Sequence, residues 1–500
     1  MTAQSSLVDR VGVHDSHRPQ HTDGGTGHSH YGLALAVVVC GVLIAAVDTT
    51  IVVLALPKIE ADLHVNVTDV VWVILSYLLV VTVLSTQVGR LGDMFGRVRM
   101  YQTGFAIFVA GSLLCGLASN ELTMILFRIL QGIGGALISA NSGAVIADIV
   151  PVERRGRAYG FNAIGWNLGA ILGILLGGAI TTFTTWRWIF FINVPIGLLA
   201  LGVSLKVLHS TAERRSHRVD WAGTVTLSLG LFCILWAATQ FATNPFDLQI
   251  GALFLAGLVL LAGFAVMETR HPEPLVSMSL FRIPTMLPAL SAAFLQSLAN
   301  FAVLFLVIMY LQGVRQLTPL NASILLVPGY LMGAVVGPFA GRLSDRVGAV
   351  FPATFGLVVQ AVALFIYAQL GTSTWLGLIV VASVVNGIGS GCFFPSNNAA
   401  VMKASPGRSF GVASGMLRTF ANVGMVFSFA MALVVAAHAI PRFIAFRIFV
   451  GSESLSHSLA SSFATGLHSA FYASMVVMLL AAVMSAVRRR TARARTDAVS

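Results

Sequence analysis

The sequence predicts an all-α integral membrane protein with fourteen transmembrane helices. Three observations predict this class. The 500 residues are 57% hydrophobic and only 10% charged, with a mean hydropathy of +0.86, whereas soluble domains are about 25% charged. Apolar stretches of roughly 20 residues, the length that crosses a bilayer, recur along the chain. Basic residues concentrate in alternate connecting segments. Together these features exclude a soluble enzyme, a disordered regulator and a disulfide-rich secreted module.

The apolar stretches define the elements in chain order. No apolar signal-peptide core precedes residue 32, so the first stretch is predicted to be a span. The polar residues 1–31 contain several histidines without recurring ligand spacing, which predicts a disordered cytoplasmic tail rather than a metal site. The fourteen predicted spans are 33–55, 70–88, 100–119, 122–148, 158–181, 188–208, 220–241, 249–267, 286–312, 321–341, 350–371, 375–402, 411–438 and 467–487.

The distribution of basic residues predicts the orientation. With the N-terminus in the cytoplasm, 23 of the 30 lysines and arginines fall on the cytoplasmic side and 5 fall in outer loops. Basic residues favour cytoplasmic loops, and one span too many or too few would reverse the side of every later loop. The distribution therefore predicts that both termini lie inside. It also assigns the net charge of +11 to membrane orientation and not to nucleic-acid binding.

Two segments share the pattern G-R-L-x-D-x-x-G. They are Gly89–Gly96 after span 2 and Gly341–Gly348 after span 10. Duplicated segments in a membrane protein suggest structural repeats around a central pathway, and the eight-span offset predicts two six-helix halves separated by two inserted helices. The predicted domains are the tail 1–31, the first half 32–208, the insertion 209–285, the second half 286–487 and a basic cytoplasmic tail 488–500.

The chemistry of these two segments predicts a gate. Glycine permits a tight turn between helices. A carboxylate such as Asp93 can accept from Arg90 or Arg97, or lie at a helix N-terminus, and such contacts can form in one conformation and break in another. A static basic loop is the alternative, and the repetition at equivalent positions favours gating. The predicted gating residues are Gly89, Arg90, Asp93, Gly96, Arg97, Gly341, Arg342 and Asp345.

Ionisable residues within spans are costly, so they are functional candidates. Asp48 in span 1 is the only acid well inside a predicted span, and Arg128 in span 4 lies at similar depth, so the two can pair. Arg418 in span 13 lies about 12 Å of helix rise nearer the cytoplasm, which disfavours a direct bond to Asp48. All three are predicted to couple protons and substrate. A permanent structural ion pair is the alternative for Asp48.

Small and amide residues complete the pattern. Span 5 carries glycines at four-residue spacing, which places them on one face where another backbone can approach and slide. Close static packing is the alternative. The second half supplies no acid equivalent to Asp48, only amides. The predicted packing hinge comprises Gly165, Gly169, Gly173 and Gly177, and the amides are Gln296, Asn300, Asn386, Asn397 and Asn398.

These motifs resemble those of the major facilitator superfamily, and in particular its fourteen-spanner drug/proton antiporters of the EmrB/QacA type. The resemblance covers residues 32–487 and implies the major facilitator fold, substrate and proton handling by Asp48, and proton coupling by Arg128. One position departs from the family's span 5 motif, because Gly173 is followed by Ile174 where proline is usual. Four stretches carry the resemblance: Asp48–Pro57, Gly89–Arg99, Leu126–Ala136 and Trp186–Pro195.

The resemblance implies a proton-driven exporter of small amphipathic or cationic compounds across the bacterial inner membrane. It implies no enzymatic activity and no cofactor, with the proton gradient as energy source. An importer or facilitator of a specific metabolite is the alternative, which Ile174 keeps open. A membrane enzyme or receptor is disfavoured because the longest outer loop, 439–466, lacks a recognisable catalytic constellation. The sequence does not predict whether a periplasmic adaptor takes part.

Overall fold

A computed structural model describes residues 27–65, 70–150, 155–209, 220–243, 246–271, 278–281, 283–404, 410–436 and 457–496. Within these ranges the regular structure is helical, and fourteen long helices follow the order of the predicted spans. One-turn helices at Trp188–Phe191 and Met278–Phe281 precede the sixth and ninth of them, and a π-helical turn, Tyr310–Val314, follows the ninth. The helices are α1 Gly27–Leu63, α2 Trp72–Phe95, α3 Arg97–Gly116, α4 Glu121–Ile149, α5 Arg155–Phe183, α6 Asn193–Val207, α7 Trp221–Thr243, α8 Leu248–Arg270, α9 Met286–Met309, α10 Pro319–Val347, α11 Val350–Tyr367, α12 Gly377–Ala404, α13 Phe410–Ala436 and α14 His457–Thr496.

The helices are those of a multi-pass membrane protein. Twelve stretches in the described ranges are long and apolar enough to cross a bilayer. Helix α2 contributes a shorter apolar stretch, Trp72–Ser85, and α13 is not among the twelve. The prediction of an all-α membrane protein is therefore confirmed, whereas fourteen spans and two inserted helices stay a prediction.

Both repeat segments are helical for most of their length, so the prediction that they are loops is wrong. Helix α2 continues to Phe95 and α10 continues to Val347. Only the last glycine of each copy leaves the helix, with φ of +102° at Gly96 and +88° at Gly348. Glycine adopts positive φ at little cost, so in both copies this residue makes the turn into the following helix. We call the end of the bundle with these two turns the repeat end; it is predicted to be cytoplasmic.

The chain's last helix also differs from the prediction. Helix α14 continues to Thr496, through most of the predicted basic tail. Arg488 is only 1% exposed, because its guanidinium donates to Asn397 Oδ1 at 2.6 Å and to the Pro288 carbonyl at 3.3 Å. Arg488, the first residue of the predicted basic tail, therefore packs against α9 and α12, and the cytoplasmic position of that tail stays a prediction. Residues 1–26 and 437–456 lie outside the described residues, and with them most of the predicted N-terminal tail and outer loop.

Helix packing repeats with an offset of eight helices. Helix α1 packs on α5 as α9 packs on α13, and α4 packs on α2 and α3 as α12 packs on α10 and α11. The most extensive contacts between the groups α1–α6 and α9–α14 are those of α5 with α10 and of α2 with α13. Helices α7 and α8 pack on each other, and α7 also contacts α2 and α13. The helices that carry the repeat segments therefore lie at the contacts between the two groups.

The glycine ladder of α5 lies against α1. A Cβ atom built on Gly173 would lie 2.0 Å from Thr50 Oγ1 and 2.7 Å from the Val47 carbonyl oxygen. Helix α5 runs unbroken past Ile174, which is 1% exposed. The two backbones thus approach as closely as the spacing predicts, and sliding along this face stays a prediction. The contacting pairs are Gly165 with Val39, Gly169 with Leu43, Gly173 with Val47 and Gly177 with Ile51.

Replacing Gly173 with alanine should destabilise the protein, because α1 and α5 would have to move apart to admit the methyl group. We expect a loss of about 1–3 kcal/mol, measured as a lower melting temperature of the purified protein in detergent. Gly202→Ala is the matched control, since a Cβ there meets nothing within 4 Å. Equal melting temperatures for the two variants would show that the ladder does not hold α1 against α5.

Candidate functional site

The centre of the candidate site is an ion pair between α1 and α4. Arg128 Nη1 lies 2.7 Å from Asp48 Oδ2, and the two side chains are 1% and 0% exposed. A single carboxylate in such surroundings would cost several kcal/mol, and the adjacent guanidinium offsets that cost. The pairing expected from the similar depth of the two residues is therefore present.

Neutral polar groups complete the surroundings of the carboxylate. Gln131 Nε2 donates to Asp48 Oδ1 at 2.7 Å, and Asn193 Nδ2 donates to the same oxygen at 3.4 Å. Both amides also donate to Ser112 Oγ at 3.1 Å, and that hydroxyl donates to the Phe190 carbonyl at 3.0 Å. The network therefore joins α1, α3, α4 and the beginning of α6 around one negative charge.

Arg128 is oriented by groups from three helices. Its Nε donates to the Val73 carbonyl at 2.8 Å, and Nη1 also donates to Gln131 Oε1 at 2.6 Å. The guanidinium carbon lies 4.4 Å from the ring centroid of Tyr77 and 5.7 Å from that of Phe190. A cation is attracted to the face of an aromatic ring, most strongly where water is excluded. These contacts hold the guanidinium in position beside Asp48.

This arrangement can link protonation to helix position. An ionised Asp48 accepts hydrogen bonds from Arg128 and Gln131, as observed. A protonated Asp48 would no longer balance the guanidinium, and an uncompensated buried charge is strongly unfavourable. Protonation of one oxygen would therefore favour a different arrangement of α1 and α4.

Three members of this network, Gln131, Ser112 and Asn193, were not predicted from the sequence. Gln131 lies three residues after Arg128, and residues at that spacing share a helix face. The spacing could therefore have indicated that Gln131 lies beside the ion pair. Ser112 and Asn193 carry no comparable signal. Asn193 contacts Asp48 directly and Ser112 contacts it through Gln131 and Asn193, only because α3 and the beginning of α6 pack against α1 and α4.

Arg418 lies apart from the Asp48 network. Its Nη1 donates to the carbonyl of Ser139 on α4, about three helical turns, or roughly 16 Å, from Arg128 along the same helix. This position agrees with the prediction that Arg418 does not bond Asp48 directly. The contact joins α13 to α4 toward the repeat end of the bundle.

The two repeat copies form different ion pairs at the repeat end. Arg97 Nη1 lies 2.7 Å from Asp148 Oδ1 at the end of α4. In the second copy, Asp345 Oδ1 lies 3.4 Å from Lys403 Nζ at the end of α12, and both side chains are exposed. The first pair connects the beginning of α3, directly after the turn at Gly96, to α4, and the second connects the repeat segment of α10 to α12. The side chains of Arg90 and Asp93 lie outside the described residues.

A second group of buried acids lies at the repeat ends of α7 and α8. Asp220 and Glu268 are 3% and 1% exposed. Gln87 Nε2 on α2 donates to the Asp220 carbonyl at 2.7 Å and to Thr224 Oγ1 at 2.9 Å. His271 Nε2 lies 3.9 Å from Asp220 Oδ1. These contacts attach the α7–α8 pair to the end of α2, immediately before the first repeat segment.

Helices α9–α14 contain a buried polar pair that is uncharged and joins α9 to α11. Gln296 Nε2 on α9 donates to Gln360 Oε1 on α11 at 2.9 Å, and the two side chains are 1% and 0% exposed. Because amides carry no net charge, burial costs less here than at Asp48. The two groups of helices thus share a packing pattern but differ in the charge of their interiors.

Comparison with known proteins assigns a family. The model of the Major Facilitator Superfamily matches residues 38–429 and 290–499. The tetracenomycin C resistance and export protein of Streptomyces glaucescens is 31% identical over 394 residues, which cover 78% of this chain and 73% of that protein. A riboflavin transporter of Clostridioides difficile (strain 630) is 29% identical over 392 residues, which cover 78% of this chain and 85% of that protein. The structure of a bacterial homologue of the human lysosomal transporter Spinster, inward-facing and unoccupied, has a TM-score of 0.61 at 19% identity, covering 94% of this chain and 98% of that one.

Replacing Arg128 with methionine should destabilise the protein by about 3–5 kcal/mol, because Asp48 would be left buried without its cation. The double variant Asp48→Asn/Arg128→Met should recover part of that loss, since it removes both charges. Thermal unfolding of the purified protein in detergent measures both effects. A double variant as unstable as Arg128→Met alone would show that the ion pair does not account for the loss.

Arg187→Met is the control for loss of a surface ion pair. Arg187 pairs with Asp62 outside the apolar part of α1, and hydrogen bonds from Arg187 and Trp186 lower the pKa of Asp62. Both members of this pair are partly exposed, so its loss should cost less than about 1 kcal/mol.

Proposed function

Because the chain belongs to the Major Facilitator Superfamily, we propose that it is a proton-coupled exporter of small amphipathic or cationic compounds. The observation that carries the proposal is the buried ion pair between Asp48 and Arg128. A buried ion pair is weak evidence for a stabilising role, whereas ionisable groups within membrane helices mark proton and substrate pathways. A single central carboxylate implies that few protons move in each cycle.

In the proposed cycle, Asp48 exchanges a proton as the two halves rock around a central cavity. In the outward-facing state a proton from outside neutralises Asp48, which frees Arg128 from the ion pair and promotes substrate release. In the inward-facing state the proton leaves to the cytoplasm, the ion pair re-forms and a new substrate binds. Gln131, Ser112 and Asn193 hold the carboxylate in place while it changes charge.

We assign the inner gate to three contacts near the repeat end. They join Arg97 to Asp148, Asp345 to Lys403 and Arg418 to the Ser139 carbonyl. The first two join segments within one half, and the third joins α13 to α4 across the halves. In this proposal all three form while the cavity faces outward and break when it opens inward. Arg418 therefore acts in gating and contributes to coupling through α4, without touching Asp48.

We place the protein among the fourteen-spanner drug/proton antiporters, in the bacterial inner membrane with both termini in the cytoplasm. The eight-helix offset of the packing supports two six-helix halves, with α7 and α8 inserted between them. Helices α2 and α13, the two not counted among the apolar spans, contact each other between the halves. Neighbouring protein on that side lowers the need for a continuous apolar surface. The excess of basic residues in alternate segments supports the orientation.

An importer or facilitator of one metabolite is the second candidate. A riboflavin transporter is among the relatives. In addition, Ile174 leaves α5 without the proline that would remove a backbone hydrogen bond and kink the helix. The two candidates differ in direction, so transport in everted vesicles distinguishes them.

Asp48→Asn should abolish proton-driven transport, because asparagine cannot exchange a proton. A substrate is first chosen from a drug-susceptibility panel in an efflux-deficient host, and its accumulation is then measured in everted vesicles energised by a proton gradient. We expect the initial rate to fall at least about tenfold, consistent with loss of an essential proton carrier. Asp62→Asn, the same change at the outer end of α1, should transport normally. Full transport by Asp48→Asn would refute the assigned role, and wild-type uptake only in right-side-out vesicles would favour the importer.

Exchanging the charges of the gate pair tests whether that pair acts as a unit. Arg97→Asp or Asp148→Arg alone places like charges together at the repeat end and should reduce transport. The double variant Arg97→Asp/Asp148→Arg restores opposite charges and should recover most of the rate. Equal losses in the single and double variants would show that the pair itself is not required.

A further inference from the structure

A groove of about 560 Å³ lies between α3 and α6, close to the repeat end. Its lining is mostly apolar and consists of exposed and partly exposed side chains. Gln102 Nε2 on α3 donates to the Ser204 carbonyl on α6 at 3.1 Å and holds the two helices together. From Arg99 to Ala106 the groove follows α3 for about 10 Å into the apolar region. The apolar and small lining residues include Phe95, Met100, Thr103, Ala106, Leu201 and Leu205.

One cation lines this groove, and a second directly follows one of its lining residues in the chain. Arg99 lines it in the first turn of α3, and Lys206 follows Leu205 in the last turn of α6. Both side chains are exposed, and neither forms a salt bridge within the described ranges. The neighbouring Arg97 differs, because it is paired with Asp148. An apolar channel with two basic groups at the membrane boundary has the complementary charge and polarity for an anionic lipid.

Between α11 and α14, the two positions that correspond to Arg99 and Lys206 carry apolar side chains. The two repeat copies align at their last glycines, Gly96 and Gly348. Arg99 and Phe351 each lie three residues after that glycine, so they occupy corresponding positions. Thr354 Oγ1 donates to Ser485 Oγ at 3.0 Å, and this contact corresponds to the one between Gln102 and Ser204. Lys206 and Val487 each lie two residues after the serine, so they also correspond. Phe351 is 60% exposed and stacks on Phe355, and Val487 is 40% exposed. At these two positions the α3–α6 surface therefore carries positive charge where the α11–α14 surface carries apolar side chains.

We propose that this groove binds an anionic phospholipid of the leaflet at the repeat end. One acyl chain lies between α3 and α6, and the phosphate contacts Arg99 and Lys206. The same two helices carry Ser112 and Asn193 of the Asp48 network, so a bound lipid would stabilise the spacing of the helices that hold the carboxylate. Binding at this groove does not depend on the direction of transport or on proton coupling.

Lipid retention by the purified protein tests the proposal. The protein is exchanged into mixtures of phosphatidylglycerol and phosphatidylcholine with identical acyl chains, and bound lipid is measured by native mass spectrometry. Wild type should retain phosphatidylglycerol with a preference of about tenfold or more, as expected for two basic contacts. Arg99→Gln/Lys206→Gln should lose that preference and keep the wild-type melting temperature. Ala106→Trp, which fills the apolar part, should reduce retention of both lipids.

Arg270→Gln/Arg346→Gln is the matched control. It removes the same charge from exposed arginines at the repeat ends of α8 and α10, and it should keep the full preference. No preference in wild type would overturn the proposal. A preference that survives Arg99→Gln/Lys206→Gln, or that the control loses equally, would also overturn it, because the lipid would then bind by general surface charge.

Discussion

A carboxylate within a membrane protein needs a cation and hydrogen-bond donors beside it, and the interior of α1–α6 meets that requirement around Asp48. The group is 0% exposed and bonds Arg128 directly. The amide of Gln131 donates a hydrogen bond to the other carboxylate oxygen of Asp48. Because the desolvation of the two charges is costly, these groups must stay within hydrogen-bond distance. The geometry of this one ion pair therefore constrains how closely four segments pack, namely α1, α3, α4 and the beginning of α6.

Glycine makes this geometry possible by letting the helices approach. A Cβ on Gly111 of α3 would lie 2.7 Å from the backbone nitrogen of Gln131, and one on Gly134 of α4 would lie 2.4 Å from the backbone nitrogen of Phe108. Close contact between α3 and α4 brings Ser112 to the amide of Gln131. The ladder of α5 holds α1 in the same way from its other side. Small residues of this kind replace the hydrophobic effect as the means of helix association in a membrane.

Much of this could be predicted from the sequence, because two rules act on membrane helices with little competition. Apolar length locates the helices, and the cost of intramembrane charge singles out Asp48 and Arg128. Equal depth then predicts that they pair. The repeat glycines were correctly assigned to turns only at Gly96 and Gly348. The other residues of both segments are helical, since helix α2 or α10 simply continues beyond its apolar part.

What could not be predicted depends on tertiary contact. No sequence pattern indicates a partner for Asp148, and it pairs with Arg97 only because α3 packs on α4. Arg488 belongs to a run of basic residues, yet contacts with α9 and α12 bury it.

The most direct test of the account is the infrared difference spectrum of the reconstituted protein between high and low pH, compared with that of Asp48→Asn. The account predicts a protonated-carboxyl band that appears in wild type at low pH and is absent from the variant. Identical difference spectra over the pH range in which transport operates would contradict it.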